Sequence, residues 1–389
     1  MFKIKTYNAI SVKGLDRFSR DKYEVASEMG HPDAYMLRSH KLHGEALPET
    51  VKAVARAGAG VNNVPVDEYT KQGVVVFNTP GANANAVKEL VMAGLLLSSR
   101  GIVRGMNYVQ TLREIKDAGE MGKLLEAEKK RFAGGELYGK KLGVVGLGAI
   151  GSMVAEMGLH MGMDVAGYDP AISIEAAWRL PSQVIRKENL QSLLAHADYI
   201  SLHVPALEAT KHMINKESLK SVKKGAVLVN FARDAIVDAE AVVASLEAGH
   251  LGQYVCDFPE PCLIGRENVI AMPHIGASTA EAEENCAVMA ADQLMDYLEN
   301  GNIKNSVNFP AVQMSRAGCC RITFANSNVA GVLGDVLSIL ADKNVNVMDM
   351  MNKSRGDVAY NIIDVENQPG DDVISAISAV EHVTMVRVV

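Results

Sequence analysis

The stretch Lys141 to Ala155 reads KLGVVGLGAIGSMVA, an apolar strand pattern running through Gly146, Gly148 and Gly151 into the apolar spacing of a helix. Such a run commits this part of the chain to a parallel α/β sheet. Gly146 permits the tight strand-to-helix turn, Gly148 lets backbone N–H groups approach a pyrophosphate, and Gly151 lets helix and strand pack closely. Asp169, in GYDP, closes the next strand 18 residues beyond Gly151. A carboxylate there accepts hydrogen bonds from both ribose hydroxyls and repels the additional phosphate of NADP, so the expected cofactor is NAD. The fingerprint starts near the middle of the chain, so a folded unit is expected before it.

With 389 residues, 48% of them hydrophobic, the chain can bury large cores and is long enough for two or three domains. Its net charge of −7 and pI near 5.8 provide no basic face, so nucleic acid is not an expected partner. The start, MFKIKTYNAI, alternates like a strand and lacks the apolar core of a signal peptide; no apolar run reaches membrane-spanning length. A cytoplasmic protein without a membrane partner is expected. The five cysteines, Cys256, Cys262, Cys286, Cys319 and Cys320, have no metal-site spacing, so no metal is expected and reduced thiols are. The vicinal pair Cys319 and Cys320 reads either as a redox switch or as small apolar packing at the start of a strand.

Strand patterns over Lys3 to Tyr7, Ala34 to Arg38, Ala53 to Arg56 and Val74 to Phe77 alternate with helical stretches, giving a first α/β lobe. A helical segment from Ala84 to Tyr108 and a charged region, Arg113 to Arg131, lead to the dinucleotide domain. Its further strands are read at Asp164 to Tyr168, Tyr199 to His203, Ala226 to Asn230, Gly252 to Asp257 and Val269 to Ala271. The long helix Ala280 to Asn300 then carries the chain back to the first lobe; its alanine and methionine stripe reads as interdomain or subunit core. From Arg321 to Val389 the order strand, helix, strand, strand, helix, strand is a ferredoxin-like arrangement, and a sheet with one bare face commonly pairs with a second copy. The fold class is therefore α/β, with two Rossmann-like doubly wound domains and a C-terminal ferredoxin-like domain. The expected boundaries are 1–95 with 283–315 for a discontinuous substrate-binding domain, 96–282 for the NAD-binding domain and 319–389 for the terminal one, with substrate between the first two.

A bound NAD needs a group that moves a proton and a group that orients the substrate. His274, in MPHIGAST, directly follows a strand, and an imidazole titrating near neutrality can exchange the proton of an alcohol; a histidine before glycine can equally cap a turn. Arg233, in VNFARDAIVD, also follows a strand. Its guanidinium suits two-pronged binding of a carboxylate, or else an ion pair with Asp234 or Asp238.

Arg233 within NFARDAIVD, His274 within PHIGAST, the HVP of His203 to Pro205, the central GLGAIG and the early ARAGAGVNNV together closely resemble the D-isomer-specific 2-hydroxyacid dehydrogenases. Among these the chain resembles the D-3-phosphoglycerate dehydrogenases, through Arg38 and Ser39 in MLRSH, Asn83 in NTPGANANAV, and a terminal domain similar to the ACT regulatory module. The resemblance implies that Arg38, Ser39, Arg56 and Asn83 contact the substrate, that Arg233 orients its carboxylate and carbonyl, and that His274 is the acid/base. It implies a glutamate hydrogen-bonded to His274, and an NAD site lined by Ala149, Ile150, Val204, Pro205, Phe231, Asp257 and Gly276 as well as the glycines and Asp169. Two guanidiniums, Arg38 and Arg56, suit a dianionic phosphate.

The chain departs from the family pattern twice. Asp257, Phe258, Pro259, Glu260 and Pro261 form a loop two residues shorter than usual, with Glu260 the natural candidate for the His274 partner and Asp257 or a water the alternative. In the terminal domain Asn328 and Asn346 match amides that hold L-serine in serine-sensing relatives, whereas Asn326 stands in place of a histidine; the three either bind serine or are turn residues. The function implied is NAD-dependent oxidation of 3-phosphoglycerate to 3-phosphohydroxypyruvate in a homodimer or homotetramer. The rivals are a sister enzyme for another 2-hydroxy acid and a non-enzymatic NAD-responsive regulator.

Overall fold

Short apolar runs bounded by turn formers make strands that need helices on both faces, and the chain supplies them in alternation. A computed structural model describes residues 1–389, the side chain at position 175 aside. They form two units, Met1–Asn83 with Ala280–Val389, and Ala84–Thr279.

The first unit begins with β1 (Phe2–Thr6), β2 (Tyr23–Ala26), β3 (Ala34–Leu37), β4 (Ala53–Arg56) and β5 (Val75–Phe77), a parallel sheet in the order β2-β1-β3-β4-β5. Strand β2 escapes the sequence pattern because Tyr23 alone of its four residues is buried, which leaves no apolar run; pairing with β1, Phe2 opposite Tyr23, makes it a strand. Helix Ala280–Asn300 packs Ala287, Ala290, Ala291 and Leu294 against Met36, Ala53, Ala55 and Phe77. Its small side chains allow close approach to the sheet, so the alanine stripe is core within this unit.

In the second unit β6 (Lys141–Val145), β7 (Asp164–Tyr168), β8 (Ile185–Arg186), β9 (Tyr199–Leu202), β10 (Val227–Asn230), β11 (Gln253–Cys256) and β12 (Val269–Ala271) are all parallel, in the order β12-β11-β10-β9-β6-β7-β8. The first strand lies mid-sheet, and the winding reverses beside it, the doubly wound arrangement. The single helical segment expected from Ala84 is broken into Ala84–Ser99 and Ile102–Thr111, with Gly101 at the start of the second.

The chain ends in β13 (Cys320–Ser327), β14 (Val347–Arg355), β15 (Val358–Val365) and β16 (Val383–Val388), an antiparallel sheet in the order β14-β15-β13-β16 with helices Val332–Asp342 and Asp371–Ser378. Ile322, Phe324, Ile363 and Val365 face Val336, Leu340 and Ile377 of those helices. The opposite face, expected bare, is covered. Arg321 Nη1 donates to Asn300 O at 2.9 Å, Arg387 Nη2 to Leu298 O at 2.9 Å, and the Tyr360 hydroxyl to Gly301 O at 2.8 Å. These groups satisfy the last carbonyls of helix Ala280–Asn300, where cations are favoured by the helix dipole. Cys319 and Cys320 are free thiols 3.5 Å apart. Among the described residues no helix is long and apolar enough to cross a membrane, and no cluster of His, Cys, Asp or Glu could hold a metal.

Candidate active site

The loops after β6 and β9 diverge where the winding reverses, which opens a crevice at the carboxyl ends of the strands. Each glycine of the first loop answers a different geometric demand. Gly146 has φ +85°, and a Cβ there would stand 2.5 Å from His203 O. A Cβ on Gly151 would run into Gly146 O. At Gly148 a Cβ would meet nothing within 4 Å, so the start of helix Ala149–His160, including Ala149 and Ile150, is open to a ligand. The loop thus fits a pyrophosphate held by the N–H groups of a helix start. Asp169 sits at its rim, Oδ2 accepting from Leu147 N at 2.8 Å and Oδ1 from Ala171 N at 2.9 Å. His203, next to Val204 and Pro205, shares a hydrogen bond of 2.8 Å with Ser201, and burial pushes its pKa down to about 3.

Arg233 and His274 follow β10 and β12 in the same unit. Buried Asn230 shapes the first turn: its Nδ2 donates to Arg233 O at 2.8 Å while its Oδ1 accepts from Ala232 N at 3.1 Å. The exposed Arg233 guanidinium donates to Ala232 O at 2.6 Å and lies 5.8 Å from the centre of the Phe258 ring. It does not pair with its acidic neighbours, since Asp238 caps helix Ala239–Glu247 through Ala241 N and Asp234 accepts from Ala235 N. His274 has φ +57°, a left-handed conformation costing a non-glycine residue about 1 kcal/mol. Asp257, 1% exposed, holds this turn: Oδ1 accepts from Ile275 N at 2.8 Å and Oδ2 from Gly276 N at 2.7 Å. The imidazole rests against Phe258, ring centres 4.5 Å apart and planes tilted by 49°.

The expected partners of the His274 imidazole need correction. The Glu260–His274 pair is not made: among the described residues no hydrogen bond or ion pair joins them, and Glu260 is an exposed residue at the start of the turn Pro261–Leu263. Phe258 meets the imidazole instead. Phe231 turns its ring into the core, where with Val255 it would crowd a Cβ on Gly94. Asp257 has both carboxylate oxygens committed to the backbone after His274. Phe258 gave no signal in the sequence beyond being an aromatic placed directly after a buried strand-end acid.

In the other unit, Ser39 N and His40 N donate to Asn8 Oδ1 at 3.1 and 2.7 Å, and Arg56 Nε and Asn63 Nδ2 both donate to Arg38 O, at 3.0 and 3.3 Å. These bonds fix the strand-end turn that presents Arg38. Its guanidinium pairs with Glu283 Oε1 at 2.6 Å. Asn83 Oδ1 is buried and accepts no hydrogen bond among the described residues. Sequence reading missed Asn8, Asn63 and Glu283, which come from distant segments.

The three terminal-domain amides do not converge. Asn326 aligns through Ala359 with Ser354, whereas Asn346 precedes Ser354 by eight residues on a parallel course, roughly 25 Å at strand rise. Each also has local partners: Asn326 Oδ1 accepts from Asn361 Nδ2 at 2.8 Å, Asn328 Nδ2 donates to Gly356 O at 3.1 Å, and Asn346 Nδ2 to Glu366 Oε2 at 3.1 Å.

Residues 102–276 match the family described as D-isomer specific 2-hydroxyacid dehydrogenase, NAD binding domain. A D-3-phosphoglycerate dehydrogenase of Haemophilus influenzae is 32% identical over 357 residues, 88% of this chain and 82% of that protein. The corresponding protein of Methanocaldococcus jannaschii is 34% identical over 339 residues, 85% of this chain; the chain spans 61% of that longer relative. Among solved structures, the NAD+-bound 3-phosphoglycerate dehydrogenase of Entamoeba histolytica superposes with a TM-score of 0.60 and 27% identity, covering 79% of this chain and 98% of that one.

Proposed function

Because the chain belongs to the D-isomer specific 2-hydroxyacid dehydrogenase family, we propose that it oxidises 3-phosphoglycerate to 3-phosphohydroxypyruvate with NAD. The observation that carries the proposal is the placement of Arg233 and His274 at the carboxyl ends of β10 and β12, the two strands that flank β11, in the unit that holds the dinucleotide loop. Bound NAD supplies the hydride acceptor. The protein does the rest. Arg233 offers paired N–H donors to the substrate carboxylate and carbonyl oxygen, which sets the orientation of the secondary carbon and supports charge developing on its oxygen. His274 takes the hydroxyl proton as the carbonyl forms and returns it in the reverse direction. Asp257 keeps the His274 turn in place. Arg38, Arg56, Ser39 and Asn83 are proposed to hold the phosphate, a dianion that needs more than one cation.

L-serine is the candidate effector of the C-terminal domain. The separation of Asn326 and Asn328 from Asn346 means that a ligand touching all three amides would have to lie between two copies of the chain, in keeping with a homodimer or homotetramer.

The test is NADH formation by the purified full chain with 3-phosphoglycerate, D-glycerate and D-lactate in parallel, with and without L-serine. Turnover selective for the phosphorylated substrate is expected. Equal use of D-glycerate would favour a sister dehydrogenase, and NAD binding without turnover in either direction would favour a regulator.

A further inference from the structure

His274 and Arg233 are both exposed and weakly restrained. Among the described residues the imidazole has no hydrogen-bond partner, and the guanidinium bonds just to Ala232 O, a neighbour that moves with it. Of the acids nearby in sequence, Asp257 is spent on the N–H groups of Ile275 and Gly276, Asp234 and Asp238 on backbone N–H groups of their own turns, and Glu260 pairs with neither the imidazole nor the guanidinium. What both side chains do share is one aromatic neighbour. The Phe258 ring lies 4.5 Å from the imidazole centre and 5.8 Å from the guanidinium carbon.

The origin of this arrangement is local. Strand β11 ends at buried Cys256, and the next two residues grip the His274 turn from two sides: Asp257 holds the backbone after the imidazole and Phe258 meets the ring itself. With the loop shortened after it, Phe258 leads straight into Pro259 and Pro261, which limit the backbone freedom of the segment. An aromatic face attracts a guanidinium and an imidazolium alike, and it does so without a hydrogen bond that would compete with substrate for the same N–H groups.

We propose that Phe258 is a positioning residue for this reaction, the surface that fixes the His274 imidazole and the Arg233 guanidinium relative to one another in place of a carboxylate partner. The inference rests on the reaction assigned above to those two residues. Misplacement of a reacting group by an ångström can cost a hundredfold in rate, so loss of the shared surface falls on kcat and not on cofactor binding.

Phe258→Leu keeps apolar bulk and removes the flat face; Phe258→Tyr keeps the face. In the full chain, Phe258→Leu is expected to lower kcat about tenfold with KM for NAD changed less than about twofold, and Phe258→Tyr to restore most of the rate. A Leu variant with the parent kcat, or a Tyr variant as slow as Leu, overturns the proposal. So does a rate loss that merely tracks a fall in melting temperature. The ring contact is also read without turnover: in histidine-labelled protein the Phe258 ring current shifts the His274 imidazole proton resonance, identified with His274→Gln, and Phe258→Leu abolishes that shift. An unshifted resonance overturns the contact itself. A shifted resonance in a protein that turns over no 2-hydroxy acid overturns the assigned reaction instead.

Discussion

The guanidinium of Arg38 lies 2.6 Å from the carboxylate of Glu283, so the cation assigned to the substrate phosphate already has an anion beside it. Both side chains are about two-fifths exposed, at 40% and 43%, and an exposed pair of this kind contributes roughly 0.2–1 kcal/mol. A phosphate must displace Glu283 or share Arg38 with it. Arg38→Gln is expected to raise KM for 3-phosphoglycerate about tenfold or more, the worth of a charged hydrogen bond, while Glu283→Gln lowers it about twofold to threefold. KM for unphosphorylated D-glycerate should respond to neither. Steady-state kinetics of the two variants with both substrates checks this, and an unchanged KM in Arg38→Gln would remove Arg38 from the phosphate site.

Two glycines of the dinucleotide loop should separate binding from stability. Gly148→Ala adds a methyl group where nothing stands within 4 Å, so melting temperature should hold while NAD affinity drops about tenfold, because the methyl occupies the approach of the pyrophosphate. Gly151→Ala drives a methyl into Gly146 O, and should cost both affinity and about 2 kcal/mol or more of stability. Calorimetric NAD titration and thermal melts distinguish the two patterns.

Arg321 and Asp364 form a two-pronged ion pair, Nε to Oδ1 at 2.6 Å and Nη2 to Oδ2 at 2.9 Å, with both residues sealed from solvent. Burial works against the Asp364 charge, but the Arg321 guanidinium and the Ala317 N–H outweigh it and hold the carboxyl below its usual range. Arg321→Met strands a buried carboxylate and should cost about 3–5 kcal/mol, whereas Arg321→Met combined with Asp364→Leu should recover much of that loss. Denaturant unfolding of the single and double variants measures the coupling. The sign with pH follows from the depressed carboxyl: the stabilisation is present above the ordinary carboxylate pKa and fades as pH falls through the folded value.

His203 makes a second acid-sensitive contribution. Its ordinary pKa is near 6.5, and burial brings the folded value down to about 3. Between those values the unfolded chain binds a proton that the folded chain refuses. Stability is therefore full above about pH 6.5 and declines as pH falls, by about 2 kcal/mol at pH 5. His203→Gln removes the titration and should flatten melting temperature between pH 7 and 5 relative to the parent. Equal slopes for the two proteins would show that His203 is not held neutral.

Much of this molecule was readable as a string. The glycine spacing and Asp169 specified a doubly wound sheet because each glycine answers a steric demand local to one turn, and strands such as β7 and β12 lie where their apolar runs end. Helix Ala280–Asn300 spans the residues its periodicity marks, since period and length are properties of the segment itself. Arg233 and His274 stood out for the same reason, as chemistry-bearing residues directly after strands. Tertiary structure alone decided who their neighbours are. Phe258 rather than Glu260 meets His274, Asp257 spends its carboxylate on backbone N–H groups, Glu283 occupies Arg38 across 245 residues of chain, and Asn346 lies at the far end of its sheet from Asn326. Each depends on loop length, side-chain direction or strand register, and those are fixed by packing between segments that the sequence keeps apart.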